Sequence, residues 1–79
     1  MSSITITKNN YWKFTSLKHA QIFKEIIIDD DFIDKCIDNI FLQINPIEVK
    51  KIKLNGKIIN GRLYLDKFVN LEYLELDRL

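Results

Sequence analysis

Ser3-Ile4-Thr5-Ile6-Thr7 alternates polar and β-branched residues, which predicts a short strand with one buried face. Lys8-Asn9-Asn10 then predicts a turn. Tyr11-Trp12-Lys13-Phe14 is aromatic-rich and either extends a strand or closes over a core. Thr15 and Ser16 are good helix N-caps, because their hydroxyls accept from the unpaired amides of a first turn. Beyond them Leu17, Ala20, Phe23 and Ile27 fall near one helical face with Ile26 beside it, so a helix is expected from about Leu17 to Ile28. Asp29-Asp30-Asp31 interrupts that pattern. Phe32, Ile33, Cys36, Ile37, Ile40 and Phe41 then recur at spacings of three and four and predict a second helix. The three acids would sit at its positive N-terminal end. Asn45-Pro46 closes it, since the residue before proline disfavours the α region.

After Pro46 the period changes. Val49, Ile52 and Leu54 form V-x-x-I-x-L, and Leu71, Leu74 and Leu76 form L-x-x-L-x-L. One constant step carries Val49 to Leu71, Ile52 to Leu74 and Leu54 to Leu76. This pattern, carried by "VKKIKLNG" and "LEYLELDRL" with "LYLDKFVNLEYLEL" as the run-in, resembles the leucine-rich repeat family over residues 47–79. The Asn or Cys that the family places three residues after the last aliphatic position is replaced by Lys57 and Leu79, so the asparagine ladder is missing. Carrying the same step backwards meets Ile27, Asp30 and Phe32, which sets residues 1–46 apart.

The expected fold is therefore α+β in one domain, 1–79. An N-terminal strand and two-helix cap (1–46) would lead into about two leucine-rich-repeat-like β units (47–79). The resemblance implies parallel strands with Val49, Ile52, Leu54, Leu71, Leu74 and Leu76 facing the core. Lys51, Lys53 and Asn55 would face outwards beside Tyr73, Glu75 and Asp77, with Lys53 opposite Glu75. A local rival exists: Asn55-Gly56 and Asn60-Gly61 are strong hairpin signals that would fold 51–66 into an antiparallel meander. Two-residue loops would mix Ile52, Leu54 and Ile59 with Lys57 and Arg62 on one face, which conflicts with clean burial.

Composition narrows the function classes. Twelve Lys and Arg stand against 11 acids, a net charge of +1, which disfavours a nucleic-acid or membrane-surface partner. Cys36 is alone, the start has no basic or apolar leader pattern, and no apolar run approaches a membrane span. A cytoplasmic, reduced setting is the natural expectation. His19, the single histidine, has no nucleophile or ligand at a catalytic or metal spacing. The acids Asp29, Asp30, Asp31, Asp34 and Asp38 lack the glycine of a calcium loop and read as a helix start with a solvated face. No enzymatic activity, metal or cofactor is expected.

The resemblance instead implies a protein–protein interaction module. The partner-binding surface would comprise Lys51, Lys53, Asn55, Tyr73, Glu75 and Asp77, with Trp12 as an aromatic anchor. Two alternatives stand beside it: a small virus- or phage-encoded inhibitor that blocks a larger host protein such as a defence nuclease, and nucleic-acid binding through the basic Lys50–Arg62 stretch. The last strand would have an open edge through which the chain could self-associate.

Overall fold

Short runs of β-branched and leucine side chains build the sheet on which the fold rests, with alternate residues buried in β2 and β4. The structure is a computed structural model and describes residues 2–15 and 22–77. In chain order the elements are β1 (Ser3–Ile6), α1 (Trp12–Thr15), β2 (Glu25–Ile28), β3 (Phe32–Ile33), α2 (Asp34–Leu42), a 3-10 turn (Pro46–Glu48), β4 (Lys51–Leu54), β5 (Ile58–Ile59) and β6 (Tyr73–Leu76). The result is a small α+β domain.

Strands β1, β2, β4 and β6 form one sheet in that order, and every neighbouring pair is parallel. Ser3 pairs with Glu25, Glu25 with Lys51, and Lys51 with Tyr73. The chain thus returns to the same register at steps of 22, 26 and 22 residues. The step from β4 to β6 is the one expected from the aliphatic pattern, and Lys53 lies opposite Glu75. The sheet also runs across the expected boundary between cap and repeats, because β1 and β2 belong to it as fully as β4 and β6 do.

One expectation is corrected here, and the local rival falls. Residues 25–28 are a strand and not the end of a helix, with Ile26 and Ile28 buried and Glu25 and Ile27 half-buried. Three consecutive isoleucines are stiff at χ1 and pack well on a pleated surface, and the tertiary pairing on both sides decides the outcome. Residues 22–24 of that expected helix are not helical either, and residues 16–21, with the cap Ser16 and His19, lie outside the described residues. The antiparallel meander is absent as well: Ile58–Ile59 pairs in parallel with Phe32–Ile33, not with β4. Asn60 has φ 58°, a left-handed conformation that asparagine tolerates better than most residues, and it turns the chain after β5.

The second expected helix exists but starts later. Phe32 and Ile33 are spent on β3, and α2 spans Asp34–Leu42 with Ile37, Ile40 and Phe41 buried. Its apolar face closes the inner side of the sheet. Ile6, Ile26, Ile28, Ile52 and Leu54 from the strands meet Ile37, Ile40 and Phe41 in one cluster completed by Phe32, Ile44, Val49 and Phe68. Phe41 and Phe68 meet edge to face at 5.1 Å, a favoured aromatic geometry. Lys67 lies 5.6 Å from the Phe68 ring, and burial lowers its pKa from the ordinary lysine value.

The core thins towards β6. Ile26 and Ile52 are 0% exposed, whereas Leu74, at the same position on the neighbouring strand, is 42% exposed and Leu76 is 36% exposed. The repeat pattern predicts Leu74 buried between stacked units; among the described residues, no strand lies on its far side. Truncation should report this gradient. Ile52→Ala should cost about 2–5 kcal/mol, the range for deleting a buried aliphatic side chain, and Leu74→Ala under half as much. Urea unfolding measures both; equal losses would mean that β6 is as deeply buried as β4.

Candidate functional site

Strand alternation puts the residues between the core positions on the outer face of the sheet, and the register lines them up in rows. The first row is Ser3, Glu25, Lys51 and Tyr73; the second is Thr5, Ile27, Lys53 and Glu75. Asp29, Asn55 and Asp77 follow the ends of β2, β4 and β6. Their amides continue the ladder, donating to the carbonyls of Ile6, Ile28 and Leu54 at 2.9, 2.8 and 2.9 Å. Lys51, Lys53, Asn55, Tyr73, Glu75 and Asp77, the six residues expected to share a surface, are therefore brought together on β4, β6 and the turns that follow them.

The first row is tied side chain to side chain. The Ser3 hydroxyl donates to Glu25 Oε1 at 2.8 Å, and Lys51 Nζ lies 3.4 Å from Glu25 Oε2. The same ammonium stands 4.7 Å from the centre of the Tyr73 ring, within cation–π range, and the Tyr73 hydroxyl donates to Glu75 Oε1 at 2.9 Å. Asn55 Nδ2 donates to Asp29 Oδ1 at 3.2 Å, and Lys50 Nζ lies 3.4 Å from Glu72 Oε2. At the N-terminal end of the strands Lys24, Glu25, Lys50, Lys51, Glu72 and Tyr73 line a shallow hollow. Charge of both signs is presented there in a fixed pattern.

Trp12 is not part of this surface. It lies on α1, which packs against α2 on the opposite side of the sheet. Trp12 is 57% exposed, and its Nε1 donates to the Asn9 carbonyl at 3.2 Å. Tyr11, beside it, turns inwards and meets Phe32 edge-on at 5.4 Å.

The acidic triplet has a structural task. Asp29, Asp30 and Asp31 form the turn after β2 and bind the neighbouring turns on both sides. Asp30 Oδ2 accepts from the Lys8 amide at 3.0 Å, and Asp31 Oδ1 accepts from the Lys57 amide at 2.7 Å. The sequence reading of them as a helix start is corrected: the short strand β3 separates them from α2. Carboxylates thus satisfy turn amides in the stack where an asparagine ladder is missing. Gly56 is needed in the same place, because a side chain there would collide with the Asp30 carbonyl. No group of three or more His, Cys, Asp or Glu able to hold a metal ion occurs among the described residues, and none of their helices is long and apolar enough to cross a membrane.

No protein-family model matches the chain, and no curated protein or solved structure matches it either.

Two acid–base groups carry the imprint of the rows. The hydroxyl of Ser3 and then the Lys51 ammonium hold the Glu25 carboxyl below its ordinary range, against the opposing effect of burial. Its contribution to stability is present above the ordinary carboxylate pKa and is lost as pH falls through the lowered one. The bond to Glu75 raises the Tyr73 phenol above its ordinary 10.0. That contribution is present below about pH 10 and is lost as pH rises through the raised pKa. In a carbon-13 NMR titration, Tyr73 should deprotonate above pH 10.0. Glu75→Gln should lower the midpoint; a midpoint unmoved by the substitution would rule out the bond.

Proposed function

We propose that the chain is a protein-binding module of leucine-rich-repeat type whose working surface is the outer face of β4 and β6. Three features support the repeat reading: parallel strands recurring at steps of 22, 26 and 22 residues, aliphatic positions stacked in register, and turns that bond to one another. The observation that carries the functional reading is the tied row Ser3–Glu25–Lys51–Tyr73, extended along β6 to Glu75. Side chains already held in place lose less freedom on association, so such a row presents a pre-organised pattern to a partner.

The partner that fits is a protein with a mixed-charge patch. Lys50, Lys51 and Lys53 stand against Glu72, Glu25 and Glu75 respectively, so they do not form the unopposed basic stripe that a phosphate backbone favours. Lys57 and Arg62 are exposed but lie beyond the strand.

The test exchanges the charges of one cross-strand pair. A Lys53→Glu, Glu75→Lys double variant keeps an opposite-charge pair and should unfold within about 1 kcal/mol of the parent. Affinity capture from native host extract, compared by mass spectrometry, should lose the partner held by the parent chain. Capture of the same partner by the double variant and its loss on Trp12→Ala would move the working surface to α1.

A further inference from the structure

The two edges of the four-stranded sheet are unlike each other. On β1 the outward residues Ser3 and Thr5 are neutral, and the inward Ile6 is 0% exposed. On β6 the inward leucines are open to solvent, and acids flank them: Glu72 before the strand, Glu75 within it and Asp77 after it. The preceding interface explains the acids. On that side Glu72 meets Lys50 and Glu75 faces Lys53. Lys24, Glu25 and Asp29 lie at β2, Lys50, Lys51 and Lys53 at β4, and Glu72, Glu75 and Asp77 at β6. The far side of β6 offers the same acids with no cationic strand opposite them among the described residues.

The backbone repeats too. The carbonyl just before each strand accepts two amides from the next strand: Ser2 from Lys24 and Glu25, Lys24 from Lys50 and Lys51, and Lys50 from Glu72 and Tyr73. The Glu72 carbonyl is the next in that series. The Tyr73 and Asp77 amides bond to β4, so by strand alternation the Leu74 and Leu76 amides face the open side. Leu76 also lines a cleft with Leu54, Ile58 and Leu63, which offers apolar contact beside the edge.

We propose that the β6 edge binds an extended segment of a partner protein as a further parallel strand. Aliphatic residues at alternate positions stack on Leu74 and Leu76, and Lys or Arg residues stand opposite Glu72 and Glu75. Main-chain bonds supply the docking and the alternating side chains supply the selectivity, as in other strand-addition complexes. The strand adds beside the sheet, not over it, and shares Glu75 with the outer-face surface.

The probe is a synthetic peptide with the sequence of the chain's own β4 segment, Val49–Asn55 (VKKIKLN), capped at both ends. It already carries the charge and aliphatic pattern that β6 meets on its other side. Nitrogen-15 NMR titration should shift the amides of residues 72–77, and hydrogen exchange at Leu74 and Leu76 should slow by tenfold or more at saturation. A charge-inverted peptide, VEEIELN, should fail to bind, and Glu72→Lys should weaken VKKIKLN at least threefold while leaving the unfolding midpoint in place. Three outcomes would overturn the proposal. They are no shift with VKKIKLN, shifts confined to the outer face without protection of Leu74 and Leu76, and concentration-dependent self-association at this edge that excludes the peptide. Glu75 belongs to both surfaces, so Glu72→Lys, which leaves Lys53 and Glu75 in place, separates this proposal from the charge-exchange capture experiment.

Discussion

Register between parallel strands is the constraint on which the rest of this molecule depends. Ile4, Ile26, Ile52 and Leu74 share one row, and Ile6, Ile28, Leu54 and Leu76 share the next inward row. A slip of one residue at any interface would exchange core for surface along a whole strand. It would put Lys51 and Lys53 into the core. The fully buried isoleucines therefore fix the register, and the register fixes the outer rows that constitute the candidate surface.

The turns reinforce that choice. Asp30 and Asp31 reach in opposite directions to the amides of Lys8 and Lys57, so each carboxylate reads the position of a neighbouring turn. Asn55 adds a bond to Asp29, and Gly56 lets the backbones approach. The connections differ in content. The longer step, from β2 to β4, houses the nine-residue α2, while the step from β4 to β6 holds only β5 and turns. Core is thickest at β2 and β4, whose inward residues join those of α2 in one cluster, and it runs out at β6.

Much of this was legible in the residues. The strand at Ser3–Ile6, the parallel match of Val49–Leu54 with Leu71–Leu76 and the shared face of Lys51, Lys53, Asn55, Tyr73, Glu75 and Asp77 follow from alternation and a fixed step. The second strand was hidden for a physical reason. Phe23-x-x-Ile26-x-Ile28 repeats Val49-x-x-Ile52-x-Leu54, but at a longer step, because the connection between them accommodates a full helix. A search at the constant step that links Val49 to Leu71 lands on Ile27, Asp30 and Phe32 and misses it. The β-branched run Ile26-Ile27-Ile28 was the local signal for strand over helix. Nothing local indicates that Asp30 and Asp31 clamp turns, because the amides they accept from lie 22 and 26 residues away. The exposure of Leu74 depends on what stands beyond β6, which periodicity does not encode.

The outer surface and the open edge rest equally on one assignment: that β2 meets β4 with Glu25 opposite Lys51 and Ile27 opposite Lys53. Cross-linking tests it directly. With Cys36→Ser as background, Ile27→Cys and Lys53→Cys would place two thiols side by side on neighbouring strands, within the Cα separation of about 4.4–6.8 Å that a disulfide spans. The pair Ile27→Cys and Val49→Cys matches the constant step that links Val49 to Leu71, and its two thiols would be offset along the strand. Under mild oxidation the 27–53 pair should close in the folded protein and the 27–49 pair should stay reduced. A 27–49 bond formed in preference to 27–53 would contradict the register, and with it the arrangement of both surfaces.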